Sequence, residues 1–292
     1  MFGWLKRRRR AQILSEPFPA EWGGLLDRDV ALWRLLSDAE RLRLQDDLRI
    51  FMAERNWEPC GGLELTDPMR AVIAGQACIL TLGRSVDAFD HVRTILVYPD
   101  RFFAPEVEED EFGVVTESCD DREGEAWERG QVVLSWSDIR QDGRRLDGRN
   151  LVLHEFSHQL DLLDFIAAAR GVTKEEAEMH RRWRKVLLGA YEALCELDDA
   201  GKKDPVLDSY GAEDESECFA VSTEAFFERP VRLRNFHPDL YGVLSEYFNQ
   251  DPAARMESTN QGANEPEKEK IRDKKKHSKE ASQRKGRKGS QG

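Results

Sequence analysis

The sequence predicts an α+β fold dominated by helices, with a small mixed sheet packed against one central helix. Three observations predict it. Apolar residues recur at helical spacing over most of residues 17–83 and 150–249. Two short runs rich in β-branched residues interrupt them. The second of these runs leads, after a short polar stretch, into a strongly apolar helix.

Residues 17–58 read as helical, first through Leu25, Leu26, Leu32, Trp33, Leu35 and Leu36, then through Leu42, Leu44, Leu48, Ile50, Phe51 and Met52. Ser37, with Glu40 three residues on, has the pattern of a capping box. Pro59, Gly61 and Gly62 break the helical pattern. A second helical stretch covers 66–83, with Thr66 or Asp67 as its cap and Pro68 in its first turn. Val92 to Tyr98 reads as a strand ending at Pro99, Gly113 to Thr116 as a short strand, and Gln131 to Trp136 as a third. The acidic stretches 106–111 and 120–128 between them read as loops. Asn150, just after Gly148, is a good N-cap for the next helix. Further helices are expected over about 174–197, over 214–228, stopped by Pro230, and over 238–249.

The ends differ from the body. Lys6 and Arg7 to Arg10 make residues 1–16 a basic segment expected to be flexible. Phe2, Trp4 and Leu5 beside those charges suit either a solvated start or contact with an anionic membrane surface. Residues 253–292 are almost devoid of apolar side chains and are expected to form a disordered charged tail. The folded domain is therefore expected over 17–252, with the N-terminal helices packed on the same body. The formal net charge is −12; residues 1–10 and 257–292 each carry +5, which leaves −22 on residues 11–256. So acidic a body argues against nucleic-acid binding by it. The five cysteines are scattered, with no Cys-x-x-Cys pair, as expected of reduced thiols in a cytoplasmic protein. No apolar run is long enough to span a bilayer.

The chemistry centres on His154-Glu155-Phe156-Ser157-His158. Four residues apart on a helix, the two imidazoles lie on one face, one turn apart, where both can reach one metal ion. Glu155 can act on a water activated by that ion without being a ligand. In a chain with 6 His among 292 residues, a chance match has odds of roughly one in a hundred. Its neighbours Leu151, Val152, Leu153, Leu160, Leu162 and Leu163 would bury these polar groups, which is costly unless they are paired or metal-bound. A catalytic metal also needs a third protein ligand. Glu217 is the leading candidate and Glu224, on the same predicted helix, its main competitor. Glu217 also fits as the closing residue of a capping box begun by Asp214, so ligand and cap stand level on the residues alone. Asp161, three residues after His158, suits either a hydrogen bond to a ligand histidine or a helix surface.

Several segments together resemble the Mlc titration factor A family of zinc peptidases and, more distantly, the catalytic domain of anthrax lethal factor. They are GGLELTDPMRAVIAGQACILTLG (61–83), ILVYPDRF (95–102), GQVVLSWSDI (130–139), LVLHEFSHQLD (151–161), DSYGA (208–212) and ECFAVSTEAFF (217–227). The resemblance implies a zincin-like fold and a Zn2+ cofactor. It implies that His154, His158 and Glu217 are the ligands, that Glu155 is the catalytic base, and that Tyr210 stabilises the developing oxyanion. The implied activity is hydrolysis of peptide bonds in a peptide or protein substrate, with a transcriptional repressor as a further partner. The competing reading is a regulatory protein that sequesters a repressor with little or no catalysis. By analogy with other zinc peptidases, the strand at 131–136 would line the cleft and receive an extended peptide. The tail beyond 256 is not part of the family pattern, and Leu162 to Leu197 departs from it in detail.

Overall fold

The computed structural model describes residues 2–100, 130–169 and 174–259. The strand expected at 113–116, its flanking acidic loops and most of the charged tail lie outside the described residues. Residues 1–251 and 252–292 form two units.

Helix α1 (Phe2–Ser15) opens the first unit. The segment expected to be flexible is thus helical. Its charges explain the difference, because Lys6 and Arg10 pair with Asp87, Asp90 and Glu54 far along the chain. Helix α2 (Ala20–Asp29) follows, then a 3-10 turn over Ala31–Leu35 and α3 (Asp38–Glu54). The Ser37–Glu40 capping box closes in both directions at the start of α3. Strand β1 (Asn56–Pro59) comes next, where the sequence suggested the end of a helix. Four mostly exposed residues, Asn-Trp-Glu-Pro, carry no alternating apolar signal by which a strand is recognised.

Helix α4 (Asp67–Thr81) is buried along nearly its whole length, and a second 3-10 turn, Val86–Phe89, leads into β2 (Thr94–Tyr98). Strand β3 (Gln131–Ser135) completes the sheet, in the order β1-β2-β3. Among the described residues all pairings are parallel, so the sheet is not mixed as expected. Parallel neighbours need crossover connections, and the β1–β2 link supplies one that includes α4.

Helix α5 (Trp136–Asp142) follows β3 directly, and α6 (Leu151–Ala169) carries the two motif histidines. Asn150 caps α6, with the Leu153 N–H donating to its Oδ1 at 3.1 Å. Helices α7 (Lys174–Asp199), α8 (Glu215–Glu228), α9 (Pro230–Phe236) and α10 (Pro238–Phe248) complete the unit. Pro230 ends α8 and starts α9. In the second unit, residues 252–259 are helical.

Helix α6 occupies the middle of the first unit, packed on α4, α8, β3 and the Val86–Phe89 turn. Phe156 on its inner face is fully buried and meets Phe51 and Phe89 edge-on, with ring centroids 5.6 and 5.1 Å away. Such aromatic pairs add about 0.5–1.5 kcal/mol each beyond the area they bury. They fix α6 from behind and leave the histidine face turned toward α8.

Candidate metal centre

His154 and His158 sit one turn apart on α6, their ring centroids 4.9 Å apart. Glu217 enters from the first turn of α8, where the Asp214 side chain accepts the Glu217 N–H at 2.8 Å. The Asp214 cap is therefore present, but the Glu217 carboxylate faces the histidines. Glu217 Oε2 lies 3.0 Å from His154 Nε2, and Oε1 lies 3.4 Å from His158 Nε2. The three groups form a cluster able to hold a metal ion.

Each imidazole has a partner at its other nitrogen. Glu224 Oε2 is 3.5 Å from His154 Nδ1, and Ser216 Oγ is 2.9 Å from His158 Nδ1. Glu224, weighed from sequence as a rival ligand, thus lies against the Nδ1 side of His154. Its other oxygen accepts the Asn150 N–H at 2.6 Å, tying the carboxylate to the start of α6. The role of Ser216 was not legible, since a serine in an acidic first turn reads as solvated.

The donors fit a metal ion of zinc size. Metal–ligand lengths of about 2.0–2.1 Å in a tetrahedral site put neighbouring ligand atoms about 3.3–3.4 Å apart, and here one ligand atom from each of the three residues lies within 4.8 Å of the others. Glu217 Oε2 is moreover buried and makes no directed hydrogen bond, despite its nearness to His154 Nε2. Two Nε2 atoms and a carboxylate facing one point favour positive charge there, which a metal ion would supply. Without a metal the histidines themselves supply it. Burial opposes charge on His154, yet Glu217 and Glu224 overcome it and raise its pKa to about 10. Burial also disfavours the Glu217 carboxylate, but His154 and His158 outweigh this and bring its pKa to about 2.

Glu155 is half-buried beside His154 on α6, and Asp161 is half-buried one turn after His158. Tyr210 stands at the rim, 43% exposed, with its ring centroid 6.0 Å from that of His154. It sits on a 3-10 turn, Ser209–Ala212, capped by Asp208. Gly211 lets this turn approach α8, because a Cβ there would lie 2.5 Å from Val221 and 3.2 Å from the Cα of Cys218. The smallest residue thus sets how near Tyr210 stands to the histidines.

A carboxylate collar surrounds the start of α6. Besides Glu224 on Asn150, Glu228 accepts the Gly148 N–H at 2.9 Å and Asp142 accepts the Leu151 N–H at 3.3 Å. The Asn150 side chain donates to Gln76 at 2.9 Å and to Glu228 at 3.1 Å. Burial pushes the Glu228 carboxyl well up and the Asp142 carboxyl to about 6.

Two histidines and a carboxylate converging from a helix pair are the donor set of mononuclear metallohydrolases. The sequence comparison makes the assignment specific: the chain belongs to the glucose-regulated metallo-peptidase M90 family, whose model matches residues 4–249. An uncharacterized protein of Synechocystis sp. is 36% identical over 253 residues, covering 85% of this chain and 90% of that protein. The Mlc titration factor A of Serratia proteamaculans is 33% identical over 255 residues, covering 87% and 94%. That of Pectobacterium atrosepticum is 34% identical over 224 residues, covering 76% and 84%. Among the described residues no helix is long and apolar enough to cross a membrane.

Proposed function

We propose that the protein is a zinc-dependent peptidase, with His154, His158 and Glu217 as the ligands. The observation that carries this reading is the convergence of the two Nε2 atoms on the buried Glu217 carboxylate, in a chain of a metallopeptidase family. Zinc supplies Lewis acidity and lowers the pKa of a bound water from about 15.7 to about 7. Glu155 takes the proton of the attacking water and delivers it to the leaving amine as the peptide bond breaks. Tyr210 donates its hydroxyl proton in a hydrogen bond to the carbonyl oxygen as negative charge builds there. Glu224 and Ser216 hold the two imidazoles with Nε2 directed inward.

The relatives' name supports a second role, binding a transcriptional repressor, either beside catalysis or instead of it. The two separate in one variant. Glu155→Gln should keep the metal and the fold and lose peptide hydrolysis; a repressor-binding function should survive it. The four cysteines among the described residues are free thiols, which supports a cytoplasmic location.

Elemental analysis of the purified protein beside Glu217→Ala tests the site itself. Near-stoichiometric zinc in the wild type and little in the variant is the expected result. Equal zinc in both would remove Glu217 from the ligand set. No metal in the wild type after reconstitution would remove the peptidase reading.

A further inference from the structure

Helix α1 has two unlike faces. It contains no acidic residue, and five consecutive positions, Lys6 to Arg10, are cationic. Lys6 and Arg10 turn inward and are half-buried. Arg10 contacts Glu54 at 2.7 Å and Asp87 at 2.6 Å, while Lys6 contacts Asp87 at 2.7 Å and also Asp90. Ile13 and Leu14, also half-buried, extend this docked face. The inward cations are thereby matched by carboxylates of the body, which holds the helix in place.

Among the described residues the outward face has no such match. Arg7, Arg8 and Arg9 are exposed, and among the described residues Arg9 donates to a backbone carbonyl, that of Ala53, at 3.1 Å. Trp4 is 57% and Leu5 53% exposed beside them. The Arg8 guanidinium lies over the Trp4 ring, 5.5 Å from its centroid, so cation and aromatic share one face. With 3.6 residues per turn, Trp4, Leu5 and Arg8 point away from the docked side and Arg7 and Arg9 flank them. An exposed tryptophan and leucine within a cluster of arginines is the composition that settles at the boundary of an anionic bilayer. Residues 11–256, at −22, repel such a surface and would orient the protein with α1 foremost.

We propose that the outer face of α1, comprising Trp4, Leu5, Arg7, Arg8 and Arg9, is a peripheral binding surface for anionic lipid bilayers. The arginines attract the headgroups, and Trp4 and Leu5 seat in the interfacial layer. Nothing in this contact requires the metal centre, and the peptidase reading can fail without affecting it.

Co-sedimentation of the full chain with vesicles tests it. One set is phosphatidylcholine alone; the other contains about one third phosphatidylglycerol. Binding is expected to the anionic set only and should weaken steeply as salt rises. At about fivefold per arginine, Arg7→Ser/Arg8→Ser should weaken it about thirtyfold. Both residues are exposed, so circular dichroism should be unchanged. Trp4→Ser should weaken binding several-fold and leave its salt dependence alone. No binding to anionic vesicles overturns the proposal. So does equal binding by the double arginine variant, which would put the contact elsewhere, such as the basic residues of 257–292. An unaltered affinity in Trp4→Ser would overturn the interfacial seat. Arginine-dependent retention on duplex DNA, with none on vesicles, would overturn it in favour of nucleic acid.

Discussion

Helices α3 and α8 begin with the same device and use it differently. Each has an oxygen-bearing cap residue followed three positions later by glutamate: Ser37 with Glu40, and Asp214 with Glu217. At α3 the box closes. Glu40 accepts the Ser37 N–H at 2.8 Å, and the Glu40 N–H returns to Ser37 Oγ at 3.4 Å. At α8 only the return half forms, from the Glu217 N–H to Asp214, and the glutamate side chain goes to two imidazoles. Ser37 is exposed, so the nearest good donor for Glu40 is its own helix start. Glu217 is buried against α6, where two nitrogens face it. The motif fixes the backbone of a helix start; the surroundings decide where the carboxylate points.

The largest test of this contrast replaces the two glutamates in turn. Glu217→Gln should lower zinc affinity by more than about 100-fold, beyond what losing an outer partner costs, while Glu40→Gln should leave it unchanged and cost under about 1 kcal/mol of stability. Titration with a competing chelator measures the first and denaturant unfolding the second. Equal zinc affinity in both variants would erase the distinction.

Glu224→Gln sharpens it, because this carboxylate touches His154 without facing the centre. A loss of about 10- to 100-fold in zinc affinity with the fold retained is expected, intermediate between the other two. A complete loss would make Glu224 a ligand in its own right.

The caps themselves come next. Ser37→Ala and Asp214→Ala should each cost about 1 kcal/mol in denaturant unfolding. Only Asp214→Ala should also weaken zinc binding, since Asp214 holds the backbone that aims Glu217. An unimpaired site in that variant would mean that packing of α8 alone positions the ligand.

The smallest effect concerns pH. Burial raises the Asp142 carboxyl from its ordinary 3.8 to about 6, even though the Leu151 N–H opposes the rise. A folded-state value above the unfolded one means stability that is present below about pH 4 and lost as the pH climbs through about 6. Asp142→Asn keeps an acceptor for the Leu151 N–H and removes the charge. It should stabilise the protein by about 1 kcal/mol near neutral pH, allowing for the half-exposed position, and by almost nothing near pH 4. Identical pH slopes for variant and wild type would show an ordinary carboxyl.

Much of the site was legible because its signals are local. The histidine spacing, the Asn150 cap and the two strand cores are all written within a turn or a strand of themselves. The direction of the Glu217 side chain was not, since the same residues serve a cap or a ligand until α6 is placed beside them. Strand β1 was missed because its four residues are mostly exposed, carry no alternating apolar pattern and pair with a strand nearly forty positions on. Helix α1 was missed for a similar reason: its anchors, Asp87 and Asp90, are about eighty residues distant. The parallel sheet depends on crossovers, which hydrophobic periodicity does not record.

The double engagement of Glu224 has one more consequence. With one oxygen on the Asn150 N–H and the other beside His154, it bridges the start of α6 to a histidine from a position on α8. Glu217 belongs to α8 as well, as does Ser216, the partner of His158. In the proposed centre, one helix would therefore supply a ligand and aim the rings of the other two. A slide of that helix would disturb all three groups together, so a bound metal would be released in a single cooperative event rather than ligand by ligand.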